Sequence, residues 1–466
     1  MQMKHRSRGA RSARGRTGGK LAAVVFLAVA RLGAQSSLPT GVTTGGNGQD
    51  GFQLYSISGY AGWESTVNPQ QGFYLPSMGL SGLKGDETMG GGASAGWSHH
   101  GQKTNLSVTY TASYQAQVRY TNLSALNQYL TMNGSKQVSR KWTLGFSAAS
   151  AISTYDQMLF TPTILSGVAA APGTFDDLST AVLAGKYNND QLASLLTGAP
   201  VIESPARTLL FGDRVFTSSA ATSLNYAHSQ RLSISLNASA NRSENIPGSY
   251  AAPQYLYLAP RAIEASASVA INYSLTPRTQ VGVNMSSSRG FSPIEDAYAS
   301  YASAFIGRKM GRRWFVQLHG GGGFITPIRS HYAISRGTMP VFGGNLGYKT
   351  YAHTFLVSQE RTLSQSYGVG AATTTATNAA WHWARPGRSW GASSDYMRMQ
   401  FSGGPFGNLN AWRAGFGVNR RVGEHLMLQT GYSYASYASN SPLSPYNSSQ
   451  HAVRLTVMWT PAGERR

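Results

Sequence analysis

The chain has 466 residues, of which 12% are charged and 41% hydrophobic, and its formal net charge is +21. The low charged fraction, together with 53 glycines and 25 tyrosines, argues against an intrinsically disordered protein. No stretch holds the roughly 18 consecutive apolar residues that a membrane-spanning helix needs, which argues against a helical membrane protein. A chain of this length corresponds to two or three ordinary domains or to one large β-barrel.

The first 34 residues have the layout of a secretory signal peptide, because eight basic residues and no acid surround the apolar run LAAVVFLAVA at residues 21–30. Small residues follow at Gly33 and Ala34, so we predict cleavage after Ala34, with Ala30 as the second choice. A basic nucleic-acid-binding arm is the alternative, but the apolar run argues against it, and we expect no nucleic-acid partner. The chain has no cysteine, which suits an exported bacterial envelope protein held together without disulfides.

From residue 52 onward, apolar and polar residues alternate with a period of two, which is typical of β-strands with two unlike faces. In NYAHSQRLSISLNAS at residues 225–239, for example, two leucines and an isoleucine take one parity, and two serines and an asparagine take the other. In a soluble sandwich the polar face would meet water. In a transmembrane barrel the apolar face meets lipid and the polar face lines a wet lumen.

Eight short polar turns, most of them basic, join the alternating segments in pairs. They are HHGQK (99–103), SRK (139–141), SQR (229–231), TPR (276–278), KMGRR (309–313), TYAH (350–353), RPGR (385–388) and VGE (422–424). One more segment precedes them (52–63) and one follows (451–459), which predicts eighteen strands, or sixteen if residues 52–63 do not pair. Longer connections at 243–260, 292–296, 326–340, 402–408 and 440–450 separate the pairs. Short turns at one end and longer loops at the other predict an all-β fold, a transmembrane antiparallel up-and-down β-barrel.

These features divide the chain into a signal peptide (1–34), a flexible N-terminal segment (35–51), a barrel (52–460) and a C-terminal tail (461–466). Residues 157–213 interrupt the barrel with two helix-like runs and four prolines. A connection of this length is usually functional. It either narrows the lumen or caps the mouth, or it serves as a surface or protomer-contact loop.

Aromatic residues often open the apolar parity after a turn, which predicts a girdle at the membrane interface. The candidates are Trp142, Trp314, Trp381, Trp383, Trp390, Trp412 and Trp459.

Three arginines, Arg119, Arg413 and Arg454, fall on the polar parity and are therefore expected in the lumen. The opposite parity would cost about 2–4 kcal/mol for an arginine in mid-membrane. They predict a pore that favours anions, because acids of the same parity are few. Pairing with loop acids such as Asp176 or Glu203 would cancel that preference.

No constellation in the chain indicates catalysis, a metal or a cofactor. GASAG at residues 92–96 matches the hydrolase pattern G-x-S-x-G around Ser94, but it lies in a glycine-rich strand without the strand-to-helix elbow that this chemistry needs. His99 and His100 are adjacent on a strand and should point to opposite faces, which makes a poor chelate. We expect no catalytic site, no metal site and no cofactor.

The leader, the segment SISGYAGWESTVNP at residues 56–69 and the repeated units such as YAHSQRLSISL resemble bacterial outer-membrane β-barrel proteins of the porin-like kind. The resemblance covers nearly all of the mature chain and is architectural. It implies an outer-membrane location in a Gram-negative envelope, contact with outer-membrane lipid and insertion by the barrel-assembly machinery. One departure is the end, where TPAGERR follows Trp459 although many such barrels finish on an aromatic residue.

The predicted function is a channel for the diffusion of small polar solutes, including anionic ones. An exit barrel for an exported polysaccharide is the alternative, and aromatic and acidic tracks in the lumen would favour it. A barrel-embedded hydrolase is a third interpretation, and the missing triad argues against it. The transported solute, the oligomeric state and any gating are open from the sequence.

Overall fold

The computed structural model shows a closed barrel of eighteen β-strands. It describes residues 50–65, 85–119, 121, 124–154, 214–246, 261–292, 295–330, 338–366, 370–401, 408–441 and 444–461. The strands are β1 (Gly51–Glu64), β2 (Asp86–His100), β3 (Thr104–Gln117), β4 (Ala125–Gln137), β5 (Trp142–Thr154), β6 (Arg214–Ala227), β7 (Leu232–Ile246), β8 (Ala262–Thr276), β9 (Thr279–Phe291), β10 (Glu295–Met310), β11 (Trp314–Ser330), β12 (Thr338–Lys349), β13 (His353–Ser366), β14 (Gly370–Arg385), β15 (Arg388–Phe401), β16 (Asn408–Val422), β17 (Leu426–Ser441) and β18 (Ser444–Trp459).

Each strand pairs antiparallel with the next one along the chain, and β1 also pairs with β18. The ladder is therefore closed, and no strand presents an unpaired edge to its surroundings. Of the residues that the structure describes, none belongs to a helix long and apolar enough to cross a membrane.

The eight predicted turns all join strand pairs, from β2–β3 to β16–β17, and they lie together at one end of the barrel, the turn end. The predicted first and last segments fall within β1 and β18, so the count of eighteen strands is confirmed and the fallback of sixteen is wrong. Gly311, Gly387 and Gly423 have φ angles of 67°, 77° and 84° in three of these turns. Glycine adopts such angles without the steric cost that a Cβ atom would bring.

At the other end, the loop end, the strands extend farther than the alternation indicated. The predicted long connection at 440–450 is wrong, because β17 runs to Ser441 and β18 begins at Ser444, with Asn440 paired to Pro445. The turn-forming residues of SPLSPYNSS suggested a loop. In a barrel wall, however, every paired residue gains backbone hydrogen bonds from its neighbour, and this gain outweighs local turn propensity.

The two faces of the wall differ in polarity as the alternation predicted. On the outward face of β7 and β8, Leu236, Val269 and Ile271 are 43%, 37% and 42% exposed. On the inward face of β1 and β2, Ser56 and Ser94 are buried. A closed wall with apolar side chains outside and polar ones inside is the arrangement for a barrel surrounded by lipid, because the ladder satisfies every backbone group in hydrocarbon.

Glycines on the inward face make room for aromatic rings that lie against the wall. The ring of Tyr60 occupies the space that a Cβ atom of Gly90 would need, and the ring of Phe315 does the same at Gly347. Glycine at these positions lets a cross-strand ring lie flat on the backbone. On β10 to β13 a buried apolar cluster adds to this packing, formed by Ala297, Ala299, Ile325, Val341 and Leu363.

Candidate functional site

A group of polar and charged side chains faces inward where β18, β1, β2 and β3 close the barrel. We call it the closure cluster: Tyr60, Glu64, Asp86, Gln115 and Arg454. The Tyr60 hydroxyl donates a hydrogen bond to Gln115 Oε1 at 3.0 Å. The guanidinium carbon of Arg454 lies 4.2 Å from the centre of the Tyr60 ring, within the range of a cation–π contact. Glu64 is directly opposite Asp86 on the neighbouring strand, and both side chains are buried.

Strand parity places these residues on the inward face. On β1, Trp63 is 46% exposed on the outward face, so the next residue, Glu64, points inward. On β18, Arg454 lies between Val453 and Leu455, which are 46% and 47% exposed on the outward face. The structure thus places Arg454 on the predicted face. Its role in selectivity stays a prediction.

Arg413 also lies on the inward face, and it forms an ion pair with Asp395 across β15 and β16. Its Nε donates to Asp395 Oδ2 at 3.0 Å, and a terminal nitrogen of the guanidinium group lies 3.0 Å from the same oxygen. The two side chains are 17% and 22% exposed. This pair, which we call the wall pair, therefore places a positive and a negative charge together on the lumen wall.

The register of the ladder joins the wall pair and the closure cluster in one cross-strand row. Asp395 is opposite Arg413, Arg413 opposite Ala435, and Ala435 opposite Gln450. Gln450 Nε2 then donates to Glu64 Oε2 at 3.5 Å, and Glu64 is opposite Asp86. Since adjacent strands lie about 4.8 Å apart, this row follows roughly 24 Å of the wall. We call it the charged belt: Asp395, Arg413, Gln450, Glu64 and Asp86.

The structure places Arg119 differently from the two other arginines. β3 ends at Gln117, and Arg119 is an exposed residue just beyond it at the loop end. Its backbone N–H donates to Asp86 Oδ1 at 2.8 Å, and its guanidinium donates to the carbonyl of Gly85 at 3.0 Å. These hydrogen bonds hold the start of β2 against the segment that follows β3. The predicted selectivity role of Arg119 stays a prediction.

Sequence reasoning missed the acids of the charged belt. Asp395, Glu64 and Asp86 share inward parity with the lumen residues, so the alternation contained a signal for each of them. Which acid would meet which arginine depends on the pairing of β15 with β16 and of β18 with β1, and that register cannot be read from single strands. The loop acids named as alternative partners, Asp176 and Glu203, lie outside the described residues.

All seven predicted girdle tryptophans lie on strands with outward parity. Trp142, Trp314, Trp390 and Trp412 are 37–45% exposed. The other three share the outward face with their cross-strand partners: Trp381 with Phe355, Trp383 with Trp390, and Trp459 with Leu426.

Six of the seven lie near the turn end, and Trp412 lies near the loop end. Two of the turn-end tryptophans contact tyrosines, with ring centres 4.5 Å apart for Trp142 with Tyr226 and for Trp314 with Tyr348. A membrane-interface role for the seven stays a prediction.

Ser94 lies in the middle of β2, where its buried Oγ accepts a hydrogen bond from Thr111 Oγ1 at 2.9 Å. The neighbouring histidines do not point apart as expected. Both reach one carboxylate, with Asp50 oxygens 2.9 Å from His99 Nδ1 and 3.5 Å from His100 Nδ1. The expectation of two opposite faces is wrong here because Asp50 lies just before β1, at the rim of the wall, where both rings can turn towards it.

The backbone N–H of His100 donates to Asp50 Oδ1 at 2.6 Å. This hydrogen bond is the main cause that lowers the pKa of the Asp50 carboxyl, and interactions with the two imidazole rings lower it further. Within the described residues, no group of three or more histidine and acidic side chains is placed to hold a metal ion.

No protein-family model matches the chain, and no curated protein matches it. Among solved structures, the outer membrane protein OpdK from Pseudomonas aeruginosa is similar with 10% identity and a TM-score of 0.43, over 88% of this chain and 99% of that one. OccK2 (OpdF) from the same organism, in complex with glucuronate, has 9% identity and a TM-score of 0.44, over 89% and 99%. The siderophore receptor PirA from Acinetobacter baumannii has 6% identity and a TM-score of 0.43, over 88% and 81%. At such low identities and TM-scores, nothing about solutes or partners carries over from these proteins.

The closed eighteen-strand wall and its outward apolar surface confirm the predicted all-β fold, an antiparallel barrel of the transmembrane kind. The predicted lumen-narrowing segment at 157–213 lies outside the described residues, as do the leader and its cleavage site.

Proposed function

We propose that the protein is a channel through which small polar solutes diffuse across an outer membrane. The observation that carries this proposal is the charged belt on the inward face of a closed barrel. Rings or arcs of fixed charge along a pore select among permeating solutes by their charge and hydrogen-bonding groups. This function requires no catalytic step.

The charged belt and the closure cluster together hold residues of both charge types, and each of their two arginines has an acidic side chain nearby. Arg413 is paired with Asp395, and Arg454 is opposite Gly62, two residues before Glu64 on the neighbouring strand. We infer that the lumen provides local sites for solute groups of either charge. The preference for anions predicted from Arg119, Arg413 and Arg454 then depends on the positive electrostatic potential that remains in the lumen when nearby acids offset these arginines.

Single-channel recording in a planar bilayer tests the proposal. The mature protein should give discrete conductance steps, and the reversal potential in a salt gradient should report its charge preference. Arg413→Ala combined with Arg454→Ala should shift the preference towards cations, because two positive charges leave the lumen wall while the carboxylate of Asp395 stays.

Arg278→Ala combined with Arg313→Ala is the matched control. It removes the same charge from exposed turns outside the described strands, and it should leave the reversal potential unchanged. Absence of conductance from folded protein would overturn the channel. An unchanged reversal potential in the lumen variant would overturn the role of the two arginines.

We also propose that the segment at 157–213 narrows the lumen. Its length and its helix-like runs support this, since an eighteen-strand barrel encloses a cavity wide enough to admit such a segment. Deletion of residues 176–198 should then raise the single-channel conductance. An unchanged conductance would place the segment outside the pathway.

The exit of an exported polysaccharide stays the alternative function, and one feature of the closure cluster bears on it. Tyr60 combines an aromatic ring with nearby carboxylates, but one face of the ring lies on Gly90 and Arg454 covers the other. The ring therefore offers no open platform for a sugar, which favours the solute channel. Contact with the barrel-assembly machinery and assembly into oligomers stay predictions.

A further inference from the structure

Three arginines lie side by side in one cross-strand row at the turn end. Arg385 on β14 is directly opposite Arg388 on β15, and Arg388 is directly opposite Arg420 on β16. The row faces outward, because the neighbouring pair of the same parity is Trp383 with Trp390, and Trp390 is 45% exposed. We call these three residues the arginine row.

Among the residues that the structure describes, no carboxylate forms an ion pair with the arginine row. None of the ion pairs formed by the described residues includes Arg385, Arg388 or Arg420. Arg385 and Arg388 contact the ring of Trp383, whose centre lies 5.8 Å from the guanidinium carbon of Arg385 and 5.6 Å from that of Arg388. Directly opposed residues have Cα atoms only about 4.5–5.5 Å apart, and like charges at this spacing destabilise a sheet.

The position of the row along the barrel indicates the kind of anion that would relieve this repulsion. Arg388 is two residues beyond Trp390 towards the turn end, which is about 7 Å along the strand. Tryptophans on an outward barrel face lie at the level of the lipid headgroups. A guanidinium group just beyond that level is placed to reach headgroup phosphates, which it can bind through two parallel hydrogen bonds.

We propose that the arginine row binds the phosphate of an anionic phospholipid in the leaflet at the turn end, with Trp383 and Trp390 against its glycerol and acyl region. Solutes in the lumen cannot occupy this site, because the row lies on the opposite face of the wall. The proposal concerns the outward surface and does not depend on which solute the channel carries.

The test uses the full mature barrel, folded into vesicles of phosphatidylcholine alone or with added phosphatidylglycerol, and extracted for native mass spectrometry. The variant is Arg385→Gln with Arg388→Gln and Arg420→Gln. The matched control is Arg278→Gln with Arg312→Gln and Arg313→Gln, which removes three positive charges from exposed turns at the same end without touching the row. Heat-modifiable migration on a gel shows that each variant is folded.

We expect the wild type and the control to retain bound phosphatidylglycerol and the row variant to lose it, with affinity falling about five-fold for each arginine removed. A second measurement does not depend on lipid retention. In pure phosphatidylcholine the row variant should resist urea better than the wild type, because its repulsion is gone, and added phosphatidylglycerol should reverse that order.

If the row variant and the control lost the lipid equally, diffuse attraction to the basic turn end would explain the binding. The proposed site would then be overturned. Displacement of the lipid by millimolar inorganic phosphate would show a general anion site and would overturn lipid recognition. Retention of phosphatidylglycerol by the row variant would overturn the proposal as well.

Discussion

The inward and outward arginines of this barrel balance their charges in different ways. Arg413 has a carboxylate of the protein at 3.0 Å, and Arg454 lies over the ring of Tyr60, two residues from Glu64 in the register of the neighbouring strand. The arginine row has no ion pair within the described part of the chain, and two of its members, Arg385 and Arg388, lie over the ring of Trp383. The protein therefore supplies a counter-charge for Arg413 inside the lumen, and we propose that the membrane surface supplies it for the arginine row outside.

The difference follows from the surroundings of each face. A partly buried lumen charge without a neighbour of opposite sign loses hydration and gains nothing in return, so a fixed carboxylate stabilises it. A charge at the outer rim meets headgroups and water, both of which can adapt to it. The same residue type thus indicates a solute pathway on one face and a lipid contact on the other.

The largest effect on stability is expected from a charge placed in the middle of the outward face. Leu236→Arg should destabilise the barrel by about 2–4 kcal/mol, because no headgroup reaches the bilayer midplane. Asn237→Arg, on the inward face one residue further, should fold normally. Urea unfolding in phosphatidylcholine vesicles, followed by tryptophan fluorescence, would measure both. Equal damage from the two substitutions would contradict the assignment of the faces.

Removal of the protein counter-charge should matter inside the lumen. Asp395→Ala should lower stability by about 1–2 kcal/mol, between the values for exposed and buried ion pairs, since both side chains of the wall pair are partly exposed. Asp395→Ala combined with Arg413→Ala should restore most of this loss, because no unbalanced charge is left. The same unfolding assay tests this, and a double variant no more stable than the single one would show that the pairing is not the cause.

The lumen arginines should also differ from the rim arginines in their effect on conduction. Arg454→Gln should raise the permeability of cations relative to anions by about two- to five-fold, which corresponds to about 0.5–1 kcal/mol of charge interaction. Arg388→Gln should leave that ratio unchanged, because its charge lies outside the pore wall. Reversal potentials in a salt gradient provide the measurement. A similar shift in both variants would remove the distinction between the faces.

The smallest effect is expected from Asp50, an acid at the turn end that does have partners within the chain. The amide of His100 holds its pKa below the ordinary value of 3.8. A depressed pKa contributes stability at pH values above 3.8, and that contribution is lost as the pH falls through the depressed value. Asp50→Asn should therefore reduce the drop in urea midpoint between about pH 5 and about pH 3. An identical drop in the variant would show that the contact does not stabilise the fold.

Much of the fold could be predicted from the sequence because period-two alternation and turn chemistry are local properties. All eight turns and both flanking strands were found in this way, and the leucines and isoleucine at 232–236 lie on the predicted apolar face. The segment at 440–450 was misjudged because its prolines and serines have the same composition as a loop. Whether these residues form a strand depends on backbone pairing with the adjacent strand, β17.

The candidate site was predictable only in part. Parity placed Arg413 and Arg454 on the inward face, and this required nothing beyond the alternation of apolar neighbours. Parity also placed Asp395 and Glu64 inward, but it does not show which acid contacts an arginine. Arg413, the partner of Asp395, is 18 residues away in the chain. For Arg119 strand parity does not apply directly, because the strand ends two residues before it, and its role in the lumen stays a prediction.

The sequence by itself determined the class of fold, the number of strands and the side of the wall on which each strand residue lies, because these follow from a repeating pattern along one chain. The tertiary structure alone decided which side chains meet: the wall pair, the contact of Gln450 with Glu64 where the barrel closes, and the alignment of three arginines on the outer rim. Each of these depends on the register between strands. A shift by one residue would turn every side chain to the other face, and a shift by two would keep the faces but separate every pair.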